Sequence, residues 1–175
     1  MARREQLIVD GYNMIGAWPP LVQLKDQDQM AAARDLLLAL LSNYSAYHDI
    51  DTWVVFDAQF VPGISQRYQQ FRLEVVFTGE GETADQFIEA MIEDRVNVLT
   101  NVTVATSDLA EQWLVFQKGA LRKSANELWR DVIGTEKEII SENNDYNHRR
   151  YRRRSPWTSH QMKQLKYLLD NLSDQ

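Results

Sequence analysis

Cysteine is absent from this chain of 175 residues. That absence excludes disulfides, thiolate zinc sites and cysteine nucleophiles together, and it fits a reducing compartment. Long apolar runs are absent as well: none approaches the ~20 residues that cross a bilayer. The opening Met1-Ala2-Arg3-Arg4-Glu5-Gln6 leads straight into a strand-like run, without the apolar stretch of a signal peptide. Histidine is scarce, and His48, His148 and His160 stand at no spacing of a catalytic triad or metal site. The expectation is a cytoplasmic chain with no membrane segment, of one ordinary domain's length and able to bury a core without staples.

Charge is plentiful and unevenly spread. Residues 1–148 carry 12 Lys and Arg against 23 Asp and Glu, whereas residues 149–175 carry 7 against 2. An acidic body with a basic tail suits a cation-binding centre joined to a polyanion contact; a solvated tail has the same count.

Four short runs are rich in β-branched or aromatic residues: Leu7-Ile8-Val9, Trp53-Val54-Val55-Phe56, Val75-Val76-Phe77 and Val102-Thr103-Val104-Ala105. Continuous apolar runs of this length read as strands buried on both faces. Helical periodicity lies between and after them, over Asp28 to His48, Thr83 to Val96, Asp108 to Phe116 and Ser124 to Ile133. Strand–helix alternation predicts an α/β fold, a doubly wound parallel sheet flanked by helices, in a single domain. Thr83-Ala84-Asp85-Gln86, Ser124-Ala125-Asn126-Glu127 and Thr135-Glu136-Lys137-Glu138 have the form of capping boxes, and Gly134 stands where a helix-ending glycine belongs. Loops are expected at Trp18-Pro19-Pro20 and Val61-Pro62-Gly63, and a linker from Ser141 to Arg154. A last amphipathic helix opens at Pro156 and carries Met162, Leu165, Leu168, Leu169 and Leu172. This divides the chain into a body over 1–145 and a basic linker with a C-terminal helix over 146–175, packed on the same domain.

The aspartates fall at telling places. Asp10 ends the first strand, Asp57 the second, Asp108 follows the fourth, and Asp85 lies in the first turn of the helix after the third. In an open parallel sheet the carboxyl ends of the strands share one edge, and ligands bind in the crevice there. Carboxylates gathered at that edge repel one another and call for a cation; all-oxygen donors suit Mg²⁺ or Mn²⁺. Such metals promote hydrolysis of phosphodiesters. Each acid also has a structural reading. Asp108 with Glu111 three residues on resembles an N-cap, Asp85 complements a helix dipole, and Asp10 and Asp57 suit turns. Helix caps account for two of the four and say nothing about the shared edge.

Five stretches in series resemble the NYN domain family, specifically its YacP-like branch. They are Leu7-Ile8-Val9-Asp10-Gly11-Tyr12-Asn13-Met14-Ile15-Gly16; Val54-Val55-Phe56-Asp57-Ala58; Val76-Phe77-Thr78 followed by Glu82-Thr83-Ala84-Asp85; Ala105-Thr106-Ser107-Asp108; and Gly119-Ala120-Leu121-Arg122-Lys123-Ser124-Ala125. The family is similar in fold to PIN and FLAP-type nucleases, so the resemblance implies metal-dependent phosphodiester hydrolysis. It implies that Asp10, Asp85 and Asp108 hold a catalytic Mg²⁺ or Mn²⁺, with Asp57 an auxiliary ligand or water-holder. It also implies that Asn13, on the loop after the first strand, positions a ligand water or the phosphate, with Glu82 and Ser107 auxiliary at the rim. It further implies an endoribonuclease acting on mRNA, with the ribosome as partner. Where some relatives carry histidine near position 59 this chain has Gln59, which bears on a substrate contact and leaves the acids intact.

Substrate affinity then needs cations away from the acids. Lys118, Arg122 and Lys123 follow the helix after Asp108, and Arg149, Arg150, Arg152, Arg153 and Arg154 surround Tyr151, mixing charge with a ring that stacks on bases. Helix-flanking charge and a solvated linker are their structural alternatives. Trp53, Trp113, Trp129 and Trp157 are expected in the core, and Trp18, on its Pro-Pro loop, beside the cleft. The rival reading is a catalytically silent RNA- or ribosome-binding adaptor. A haloacid-dehalogenase phosphatase needs an aspartate where Tyr12 stands, and a phosphoacceptor domain needs a lysine where Thr106-Ser107-Asp108 stands; both fit poorly.

Overall fold

Side-chain alternation along the strands decides how the layers assemble. The computed structural model describes residues 3–57, 72–146 and 159–173. β1 (Arg4–Asp10), β2 (Asp51–Phe56), β3 (Glu74–Phe77), β4 (Thr100–Ala105) and β5 (Leu121–Lys123) form one sheet in the order β3-β2-β1-β4-β5. Every pairing is parallel. Because successive side chains point to opposite faces, Leu7, Val9, Val54 and Phe56 enter one core while Ile8, Trp53, Val55, Val102 and Val104 enter the other. The first core is closed by α1 (Gly11–Ala17), α2 (Pro19–Asp26), α3 (Met30–His48), α6 (Ala125–Tyr146) and α7 (Ser159–Ser173). The second is closed by α4 (Ala84–Arg95) and α5 (Leu109–Gln117), through Ile88, Met91, Ile92 and Val115. The chain winds outward from β1 to β3 and then returns to the other side of β1 for β4 and β5. The crevice of this doubly wound α/β fold therefore opens at the carboxyl ends of β1 and β4.

The four expected strands and the helices after them are present, and three local expectations are corrected. Trp18-Pro19-Pro20 is not a loop. Trp18 is the junction of two helices, and the prolines occupy the first positions of α2, where a missing N–H breaks no helical bond. Trp18 is fully buried, donates from Nε1 to the Ala125 carbonyl at 2.9 Å and packs on Trp129, so it joins the core rather than the cleft. Asn13 accordingly lies in α1 and not on a loop.

The second correction is at Gly134 and Thr135, where α6 runs on without a break. Thr135 donates its hydroxyl back to the Asp131 carbonyl at 3.0 Å, and Glu136 is buried with Oε1 accepting from Asn43 of α3 at 2.9 Å. Packing of α6 along α3 outweighs a local stop signal worth about 1 kcal/mol. The same helix continues through Ser141–Tyr146, which were expected to be linker. The third is β5, a three-residue edge strand whose Leu-Arg-Lys composition gives no strand signal. The loop over Val61-Pro62-Gly63, Gln59, and the arginine run Arg149–Arg154 lie outside the described residues. Leu165 of α7 is buried in the first core, so the C-terminal helix and the body share it. No helix among the described residues is long and apolar enough to cross a membrane.

Candidate metal centre

Asp10 ends β1 and caps α1, and two contacts from one residue fix its carboxylate. Oδ1 accepts from the Asn13 amide at 3.1 Å and Oδ2 from Asn13 Nδ2 at 2.5 Å. The turn between β1 and α1 is so tight that a Cβ on Gly11 would run into the Phe56 ring, so only glycine fits directly after the acid. Asp85 sits in the first turn of α4, held in place by the reciprocal capping of Thr83 and Gln86. Asp108 caps α5 by accepting from the Ala110 amide at 2.8 Å.

Glu111, one turn along α5, is the acid that sequence reasoning missed as a ligand. It does not reach back to complete a cap. It is 5% exposed, and neither carboxylate oxygen has a hydrogen-bond partner among the described residues. One carboxylate oxygen from each of Asp10, Asp85 and Glu111 lies within 4.8 Å of the other two. An acid at the third position of a capped helix reads as ordinary capping, so the sequence offered no signal that set Glu111 apart.

The electrostatics follow from burial and crowding. Burial pushes the Glu111 carboxyl up to about 8; the Thr106 side chain opposes this, and the charges of Asp10, Asp85 and Asp108 add to the rise. Burial also raises Asp10; its Asn13 bonds oppose this and Asp85 adds to it. Asp85 is raised first by burial and then by Asp108 and Asp57. Five carboxylates therefore sense one another. Asp10, Asp85 and Glu111 form the tight group, while Asp57 and Asp108 flank it. None of the three inner acids makes an ion pair among the described residues.

A cleft of about 480 Å³ opens over this edge, with Asp10, Asn13, Asp57, Asp85 and Ser107 on its walls beside Tyr12. A buried carboxylate without a partner, next to two more, is a donor set that fits a hard divalent cation; all donors are oxygen, as Mg²⁺ and Mn²⁺ prefer. Glu82 stays in the turn before α4, its Oε2 accepting from the Gly79 amide at 3.4 Å.

The expected RNA-facing cations are placed apart from one another. Lys118 pairs with Glu89 at 2.8 Å and with Glu93, both on α4. Lys123 pairs with Asp131 at 2.5 Å. Arg122 donates to the Gln112 side chain at 2.9 Å and lines a separate cavity on the outer side of α5. Trp113, expected in the core, is 69% exposed on that side.

Known proteins share this arrangement of elements. The family description of the YacP-like NYN domain matches residues 7–170. The chain is 48% identical over 133 residues to the protein YacP of Bacillus subtilis (strain 168), covering 76% of this chain and 78% of that one. Its structure is similar to the crystal structure of Rae1 (YacP) from Bacillus subtilis, with a TM-score of 0.74 and 40% identity over 95% of this chain and 91% of that one. A crystal structure of a mutant of the same Bacillus protein gives a TM-score of 0.72 and 37% identity, over 97% and 98% of the two chains.

Proposed function

The chain belongs to the YacP-like NYN family, with its PIN-like nuclease fold, and on that basis we propose that it is a metal-dependent endoribonuclease. The observation that carries the reading is the convergence of Asp10, Asp85 and Glu111 within 4.8 Å, one of them buried without a partner. Mg²⁺ or Mn²⁺ held by these acids supplies positive charge to polarise a phosphodiester and acidify water. The protein's own contribution is position. Asn13 locks both oxygens of Asp10, so that ligand does not rotate as substrate arrives. Glu111 closes the floor from below, where water has little access. Asp85 and Asp57 face the open cleft, where a scissile phosphate enters, and Ser107 and Tyr12 stand at its walls. Asp108 holds the first turn of α5, and with it Glu111, in register.

RNA as substrate, mRNA decay as setting and the ribosome as partner belong to this proposal through the family resemblance. The deciding experiment incubates purified protein with labelled RNA and with DNA of the same sequence, with and without Mn²⁺, alone and with ribosomes. Wild type is expected to cut RNA internally only with metal, and Asp85→Asn to bind RNA without cutting it. Full cleavage in excess EDTA, or by Asp85→Asn, overturns the mechanism. Metal-independent RNA binding without cleavage by wild type is the result an adaptor gives.

A further inference from the structure

α5 exposes an apolar stripe among the described residues. Leu109, Trp113 and Phe116, spaced as one helix face, are 73%, 69% and 67% exposed. The opposite face of the same helix carries Glu111 into the acidic centre and Val115 into the core. With Gln112 and Arg122 the stripe lines a cavity of about 370 Å³. Large apolar side chains presented together to water mark a binding surface.

What belongs there is indicated by charge, on the same helix that carries Glu111 into the acidic centre. The Arg122 guanidinium stands on the cavity wall, held by the Gln112 carbonyl oxygen, and Gln112 is itself buried and anchored by donating to the Thr106 carbonyl at 2.9 Å. A cation pre-oriented beside exposed rings suits a ligand that offers flat apolar faces and negative charge in alternation. Single-stranded nucleic acid does so. The stripe begins one residue after Asp108, and at ~1.5 Å per residue Trp113 lies only about 7 Å further along the helix axis. The rings face away from Glu111, so a strand whose phosphate sits over the acids reaches them by passing round α5.

We propose that Trp113 and Phe116 form a base-stacking ledge for single-stranded RNA, with Arg122 holding a phosphate next to the stacked base. This rests on the nuclease reading and adds to it the part of the substrate gripped away from the cut. It also accounts for an aromatic helix face left exposed next to a cluster of carboxylates, which by themselves repel a polyanion.

The test is fluorescence anisotropy in EDTA, where nothing is cut. The probes are a fluorescein-labelled 12-nucleotide oligoadenylate and an abasic strand of equal length and charge. Base stacking on one ring is worth about 1–3 kcal/mol, so Trp113→Ala is expected to weaken oligoadenylate about 5- to 150-fold and leave the abasic strand unchanged. Trp113→Phe restores most of the affinity, and Arg122→Gln lowers the salt slope of log affinity by about 0.7 for both probes. Equal binding of oligoadenylate by wild type and Trp113→Ala, or no binding by wild type, overturns the ledge. So does a concentration-dependent dimer in sedimentation that Trp113→Ala abolishes, since the stripe then seats a second copy. Cleavage of the same RNA in Mn²⁺ reads out the nuclease separately: a wild type that cuts while Trp113→Ala binds normally loses only the ledge. A wild type that binds base-dependently but never cuts keeps the ledge and loses the nuclease.

Discussion

The two edges of the sheet handle acids in opposite ways. At the amino ends of the strands each acid has a partner. Asp51 pairs with Arg4 at 2.7 Å, Asp49 with Arg72 at 2.6 Å, and Glu74 accepts from Trp53 Nε1 at 2.9 Å while Arg95 lies over the Trp53 ring. At the carboxyl ends Asp10, Asp85 and Glu111 crowd together, and among the described residues no lysine or arginine pairs with them. The same chain thus compensates its carboxylates where compensation serves folding and leaves them uncompensated at the crevice of the switch point. Buried like charges are costly unless a counter-charge arrives. On the proposed metal-centre reading a cation completes the acidic edge from outside, whereas the other edge is complete as folded.

This contrast is most exposed to failure at Glu111. If it completes the centre, Glu111→Gln abolishes RNA cleavage and the thermal response to metal together. At a Mn²⁺ concentration 100-fold above its dissociation constant, mass action stabilises wild type by about 2.7 kcal/mol, or roughly 5–10 °C in a domain of this size. The variant is expected to show little of that shift and to melt at or above wild type in EDTA. Melting curves of both proteins with and without Mn²⁺ decide it, and an equal shift in the two removes Glu111 from the site.

Glu136 supplies the control, being a buried acid with one neutral partner and, among the described residues, no charge that shifts it. Burial pushes its carboxyl up to about 7, with Asn43 opposing. A carboxyl raised in the folded state contributes stability that is complete below its unfolded value near 4.5 and is lost as pH rises through about 7. Chemical denaturation from pH 4.5 to 8 in EDTA should therefore show a loss in wild type that is up to about 3 kcal/mol smaller in Glu136→Gln. Its Mn²⁺ response should equal wild type's, in contrast to Glu111→Gln.

The compensated edge should respond least. Asp51→Asn removes an ion pair whose side chains are 73% and 39% exposed, so stability should fall by no more than about 1 kcal/mol, less in high salt. Cleavage and the Mn²⁺ shift are expected to be untouched. A loss of either would mean that the two edges are coupled and that the division drawn between them is wrong.

Much of this was legible beforehand. The runs around Val9, Val55, Val76 and Val104 announced strands, the order of strands and helices announced a parallel sheet, and Asp10, Asp57, Asp85 and Asp108 stood at the ends that such a sheet brings to one side. Misreadings arose where a local signal met a tertiary contact. Pro19 and Pro20 signal a loop and serve equally at the start of a helix. Gly134 and Thr135 signal a break, but α6 lies against α3 with Glu136 between them. Trp18 and Trp113 exchanged their expected places because hydrophobicity ranks residues without saying which face of a helix a core will cover.

The first four strands, the helices after them and the acidic edge were thus properties of the chain alone. Side-chain periods of two and of about 3.6 residues are local, and acids at strand ends converge once the strands are parallel. Which acids meet was settled by packing. Asp10, Asp85 and Glu111 come from three separate elements, and the rotation of α5 turns Glu111 inward and Trp113 outward. That rotation is set by Val115 entering the core and by Gln112 bonding the Thr106 carbonyl, contacts made across the fold rather than along the chain.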